Sequence, residues 1–180
     1  MLIELYNDKI NEVRLTSIKN SPSFFKLFGI DLMREKVLVE LRKISEDKNW
    51  KIRLAALEVF PTVINEYSES LSDVVFDIQN SYNLDHTYVI RKRVIENYKE
   101  YFTILEYDKV LPQYKELITL WSQNTNYIFR ISAVQSFRKT FYVLKKTRKF
   151  DWNSWQRETP SNDKRSDDNH GKWENPERPV

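Results

Sequence analysis

Asp47-Lys48-Asn49-Trp50-Lys51-Ile52-Arg53-Leu54-Ala55-Ala56-Leu57 reads as a short polar turn running into an amphipathic helix, and its pattern recurs along the chain. An Asp or Asn stands six residues before an Arg that follows an apolar residue. The four instances are Asp8 with Val13-Arg14, Asp47 with Ile52-Arg53, Asp85 with Ile90-Arg91 and Asn124 with Phe129-Arg130. The arginines lie 39, 38 and 39 residues apart. A period of this length marks a helical solenoid, in which each unit buries its apolar side against its neighbour.

The register extends beyond the turn. Four residues after each Arg come Ile18, Leu57, Ile95 and Val134; seven after come Ser21, Phe60, Tyr98 and Phe137; eleven after come Phe25, Ile64, Phe102 and Phe141. These offsets share one face of an α-helix. Each unit therefore has a second helix with an apolar stripe, which lapses only at Ser21. The fold class expected is all-α, an α-α superhelix of about three and a half units.

Composition agrees. Hydrophobic residues make up 41% of the 180 and charged residues 31%, enough for one core and a solvated surface. Two glycines and six prolines suit long helices rather than strands joined by tight turns. With no cysteine there is no disulfide, iron–sulfur cluster or thiol nucleophile. The net charge of +3 is mild and gives no pointer to nucleic acid. The start, MLIELYNDKINEV, lacks the basic residues and apolar run of a secretory leader. No window approaches the roughly 18 unbroken apolar residues of a membrane span.

In chain order, Asn7–Ile10 is the first turn and a helix starts near Asn11, leaving at most a stub of the first unit's leading helix. That half-unit start is expected to leave the first stripe uncovered: a partner covers it, the terminus frays, or, the reading favoured, the chain is a fragment of a longer array. Ser21-Pro22 interrupts the helix, and Pro61 stands at the same offset in the second unit, which suggests a repeated bend. Gly29 is placed to end one helix and Asp31 to cap the next. Units follow near 31–66, 70–102 and 106–146, with leading-helix faces Val37, Leu38, Leu41 and Ile44; Leu71, Val74, Val75 and Ile78; and Leu111, Tyr114, Leu117, Ile118 and Trp121. Residues 147–180 are polar, mixed in charge and outside the period, a composition that suits a disordered tail. Trp152 and Trp155 in it suit either a cap over the last helix or a short docking motif.

Catalytic chemistry has few candidates. His86 and His170 are the only histidines, so no Cys/His metal set exists, and Gly29 and Gly171 are too few for a glycine-rich phosphate loop. No cofactor is implied. Asp8, Asp47, Asp85 and Asn124 are placed to accept from amides opening the B helices, the later helix of each unit. Stacking brings each near a neighbouring unit's Arg, so Arg14, Arg53, Arg91 and Arg130 are expected to form an inter-unit ladder. Trp50, Tyr88 and Tyr127 each stand three residues before the Arg. With helices packed about 8–10 Å apart, these rings would form a ridge very roughly 20 Å long. Two readings stand: each ring packs on the next turn, or the ridge docks a protein, Trp and Tyr being enriched at binding hot spots. Asn11 holds the position in the first unit, where the ridge fades.

The segments Asn11-Glu12-Val13-Arg14-Leu15, Asn49-Trp50-Lys51-Ile52-Arg53-Leu54-Ala55 through Pro61, Asp85-His86-Thr87-Tyr88-Val89-Ile90-Arg91 and Asn126-Tyr127-Ile128-Phe129-Arg130 resemble HEAT repeats. Their order is similar to the C-terminal repeats of the scaffold (A-type regulatory) subunit of protein phosphatase 2A, over about residues 4–142. The resemblance implies a non-enzymatic scaffold, cytoplasmic with the nucleus as a further compartment. Its turns would hold a serine/threonine phosphatase catalytic subunit through Asn49, Trp50, Lys51, Tyr88 and Tyr127. Asn49 and Asn124 depart from the family's usual basic residue and Asp. The family's N-terminal repeats have no counterpart here, and the sequence after Lys146 replaces its final ones. Two rival readings stand beside it: a HEAT adaptor for transport or assembly, and a HEAT-like DNA glycosylase using Lys51, Arg91, Arg93 and Arg130 in a basic groove, which predicts salt-sensitive DNA binding.

Overall fold

A computed structural model describes residues 1–146. The first helix, α1 (Leu2–Tyr6), leads through a turn to α2 (Asn11–Asn20), which continues as a 3-10 segment, Ser21–Leu27. Next come α3 (Ile30–Leu32), a π-helical turn (Met33–Val37) and α4 (Leu38–Ile44), followed by the long helices α5 (Trp50–Tyr67), α6 (Glu69–Asn80), α7 (Tyr88–Ile104), α8 (Tyr107–Ser122) and α9 (Tyr127–Lys146). No strand occurs among the described residues. α2 packs on α5, α5 on α7 and α7 on α9, while α4, α6 and α8 lie against this row. Residues 1–146 form an all-α solenoid of stacked helix pairs.

Each central helix in the row has two buried faces, readable as offsets from its Arg. In α5, Ile52, Ala56, Val59 and Val63 form the backward face and Leu57, Phe60 and Ile64 the forward face, all in the core. In α7 the backward face is Ile90, Val94, Asn97 and Tyr101, and the forward face is Ile95, Tyr98 and Phe102. Backward faces pack towards the N-terminal end of the array: Asn97 reaches the Leu57 carbonyl and Phe129 stacks edge-on against His86. Forward faces pack towards the C-terminal end, as Phe102 meets Tyr107 and Tyr114 and Phe60 meets Tyr82. Burying both faces of two helices supplies the apolar area that holds the array together.

The end helices show one face each, and here the structure corrects the sequence reading. The α2 stripe is not uncovered: Ile18, Ser21 and Phe25 are fully buried against α5, and the Ser21 hydroxyl donates to the Ile18 carbonyl at 2.7 Å. What stands open is the backward face, Val13, Ser17, Asn20 and Phe24, which with Leu2 and Leu5 lines a groove of about 460 Å³. Conversely, on α9 Val134 is 72% exposed and Phe141 is partly exposed, with no following helix pair on them among the described residues, whereas Leu144 further along is buried. On the leading helices, Val74, Leu111 and Ile118 are only half-buried, whereas Val110 joins the core.

Three local expectations also change. Gly29, not Asp31, is the N-cap of α3, and Asp31 sits in the first turn. Pro22 turns the helix into a 3-10 segment, whereas α5 runs through Pro61 as one helix, so the prolines share an offset but not an outcome. Ser68 joins α5 to α6 with φ 46° and ψ −131°, a strained conformation that would suit glycine better. The expectations for Trp152, Trp155 and the tail lie outside the described residues.

Candidate functional site

Every turn before a row helix is built the same way. The side chain of Asp8 accepts from the Ile10 amide at 2.7 Å, Asp47 from Asn49 at 2.7 Å, Asp85 from Thr87 at 2.7 Å and Asn124 from Asn126 at 2.9 Å. The expected role as direct helix caps is thereby corrected: these groups brace the turn two residues on. In α5 and α9 a helix amide is capped by the next polar residue instead, Asn49 accepting from Lys51 at 3.0 Å and Asn126 from Ile128 at 3.0 Å, while Ile10 and Thr87 make no such side-chain bond.

The Arg then ties turn to helix and unit to unit. Arg53 Nη1 donates to the Asp47 carbonyl at 2.7 Å; Arg91 Nη1 donates to the Asp85 and His86 carbonyls at 2.8 Å; Arg130 Nη1 donates to the Asn124 and Thr125 carbonyls at 2.7 Å. Across units, Arg14 meets Asp47 at 2.5 Å, and Arg53 grips Asp85 through Nε at 2.8 Å and Nη2 at 3.1 Å. Forked pairing of this kind fixes orientation as well as distance. Burial works against the Asp85 charge, but bonds from Arg53 and Thr87 outweigh it and hold the carboxyl below its ordinary pKa.

The third rung differs. Asn124 offers no charge, and Arg91 Nε instead donates to the Ser132 hydroxyl at 3.1 Å while its guanidinium lies 5.1 Å from the Phe129 ring centroid. Burial lowers the Arg91 pKa from its usual value, with the Asp85 charge opposing that shift. Ser132 carries no distinguishing sequence signal, since it falls on none of the repeated offsets.

Trp50, Tyr88 and Tyr127 are the first residues of α5, α7 and α9, at 39%, 53% and 61% exposure. None is sealed in the core. Lys51 is exposed beside Trp50, its ammonium 6.0 Å from the ring centroid, while Asn49 is half-buried and occupied as a cap. Because α5 packs on α7 and α7 on α9, the three rings begin three neighbouring helices of one row. Tyr88 also lines a cleft of about 430 Å³ with Gln135, Arg138, Lys139 and Tyr142. That cleft joins residues roughly 50 apart, outside any single-helix pattern. Its chemistry is aromatic and cationic, with Lys139 held by Glu96 at 2.6 Å.

No group of three or more metal-ligating side chains occurs among the described residues, and no described helix is long and apolar enough to cross a membrane. No family model and no curated protein matches the sequence. Among solved structures the chain is similar to Cex1p, known from a crystal structure, with a TM-score of 0.68 and 16% identity over 83% of this chain. It spans 29% of the Cex1p chain, and at that identity the likeness is one of fold.

Proposed function

We propose that the chain is a non-enzymatic docking scaffold that presents the turns of consecutive helix pairs to a protein partner. The observation that carries this reading is the exposure of a large ring at one register in three successive turns, Trp50, Tyr88 and Tyr127, where core packing would have hidden them. Exposed aromatics on a stiff frame lose little side-chain freedom on binding and supply large contact areas. The sequence resemblance supplies a partner class: a serine/threonine protein phosphatase 2A-type catalytic subunit, gripped through Trp50, Lys51, Tyr88 and Tyr127, with Asn49 shaping the turn.

A capture experiment tests it. Immobilised full chain is expected to retain the phosphatase catalytic subunit, and Trp50→Ala with Tyr88→Ala to lower retention at least ~10-fold while the helical signal is unchanged. Undiminished capture by the double variant would remove the ridge from the function. Absence of phosphatase, with other proteins captured through the same rings, would leave a scaffold with a different partner.

A further inference from the structure

Two further offsets from the row Arg lie side by side on each helix, three residues apart, and α9 breaks their pattern. Five residues after the Arg stand Glu58 in α5, Glu96 in α7 and Gln135 in α9. Eight after stand Pro61, Lys99 and Arg138. In α7 the two positions form an ion pair across one helical turn. Lys99 donates to Glu96 at 2.7 Å, and Lys139 of α9 takes the other carboxylate oxygen at 2.6 Å, so both oxygens are occupied. In α9 the acid position holds an amide. Arg138 stands one turn from Gln135 as Lys99 does from Glu96, yet it makes no hydrogen bond or ion pair among the described residues. No acidic residue occurs from Tyr127 to Lys146, so α9 supplies no other counter-ion of its own.

The unmatched guanidinium lies in a shaped setting. Arg138 and Gln135 line the cleft of about 430 Å³ together with the rings of Tyr88 and Tyr142, the latter 74% exposed. A guanidinium can donate two parallel bonds to a carboxylate, and the Gln135 amide is a further donor beside it. The two rings favour a ligand that sets a flat or apolar group next to its charge. The preceding units indicate which anion fits, because at this register the array itself places a carboxylate, Glu58 or Glu96. The cationic patch is also confined. Glu58 is exposed on α5, so positive charge does not continue along the row as the long stripe that a nucleic-acid backbone needs.

We propose that the cleft between α7 and α9 binds an acidic peptide segment. A glutamate or aspartate side chain of the peptide pairs with Arg138 and Gln135, in the place that Glu96 fills one unit earlier, and a neighbouring side chain lies against Tyr88 and Tyr142. The site goes beyond the docking ridge: it shares Tyr88 but depends on Gln135, Arg138 and Tyr142, which the ridge does not use.

Fluorescence anisotropy of a short labelled peptide of alternating glutamate and tyrosine, titrated with the full chain, tests the proposal. Saturable binding is expected, and a peptide with glutamine in place of glutamate should bind at least ~10-fold more weakly. Arg138→Glu should lower affinity for the acidic peptide at least ~10-fold. Gln135→Glu should do the same while removing no ring and no cation, because it supplies within α9 the carboxylate that the peptide would bring. Arg138→Lys keeps the charge and loses the fork, and its affinity should fall between. Neither Gln135 nor Arg138 is buried, so the helical signal should be unchanged in all three variants. Phosphatase capture through Trp50 should also be unchanged, so failure of the cleft and failure of the ridge are read separately. Absence of saturable binding, or undiminished affinity in Gln135→Glu, overturns the proposal. So does tighter binding of an oligonucleotide or a phosphorylated peptide of equal charge.

Discussion

At the scale of single residues, Pro61 and Asn97 explain one another. Proline has no amide hydrogen, so a proline inside α5 strands the carbonyl four residues before it, that of Leu57. In the core a stranded carbonyl is costly. Asn97 on α7 answers it, donating Nδ2 to the Leu57 carbonyl at 2.9 Å, and the same group donates to Gln79 Oε1 at 2.9 Å. Tyr101 completes the cluster by donating to Gln79 Oε1 at 2.8 Å. This explains how α5 runs on through a proline and why a fully buried amide occupies an otherwise apolar face of α7. Asn97→Ala is expected to cost about 1–3 kcal/mol in urea unfolding, through lost bonds to buried acceptors. With Pro61→Ala in place, the residue-61 amide can bond the Leu57 carbonyl, and the same Asn97→Ala change should cost about 1 kcal/mol less. Strict additivity of the two changes would mean that Asn97 serves Gln79 alone.

At the scale of elements, the turn with its Arg is the unit that sets register. The Arg53–Asp85 rung is part-buried and forked, and its pH dependence has a definite sign. Because the folded-state pKa of Asp85 lies below its unfolded value, the rung's contribution is complete above about pH 4 and drains away as pH falls through the folded value. Asp85→Asn removes that drain. The urea midpoint of the wild type is therefore expected to exceed that of Asp85→Asn at pH 7, and the gap to narrow steadily below about pH 4. A gap constant from pH 7 to pH 3 would assign the loss to turn geometry rather than to charge. Much of this element is legible in the sequence, because a 39-residue recurrence of Asp, apolar residue and Arg constrains one local structure four times over. The helical stripe is equally legible, but which side of an end helix faces solvent is not. That depends on which neighbour is present, a property of the stack and not of the α2 or α9 sequence. Asn97, Gln79 and Ser132 are unreadable for a related reason. Each partners a group 18 to 41 residues away, through contacts with no sequence period.

At the scale of the whole array, helices covered on two sides differ from helices covered on one. Among the described residues α5 and α7 are buried front and back, whereas α2 leaves Phe24 and α9 leaves Val134 and Phe141 exposed. The N-terminal edge is weaker again, since it includes a 3-10 segment and a π-helical turn, whose hydrogen bonds are less well aligned than those of an α-helix. In a solenoid, local stability follows from nearest-neighbour contacts, so opening should begin at the edges. Amide exchange is expected to be slowest in α5 and α7 and at least ~10-fold faster in α2 and α9. Asn97→Ala, which loosens the α5–α7 junction, should speed exchange in both of those helices more than in α2. The gradient bears on docking as well. Trp50 and Tyr88 open the two most protected helices, whereas Tyr127 opens an edge helix and would be ordered partly at the expense of binding. The same exchange profile thus ranks the ridge, with Trp50 and Tyr88 its firm half. Uniform exchange from α2 to α9 would make residues 1–146 a single all-or-none unit, in which Tyr127 is held as firmly as the other two rings.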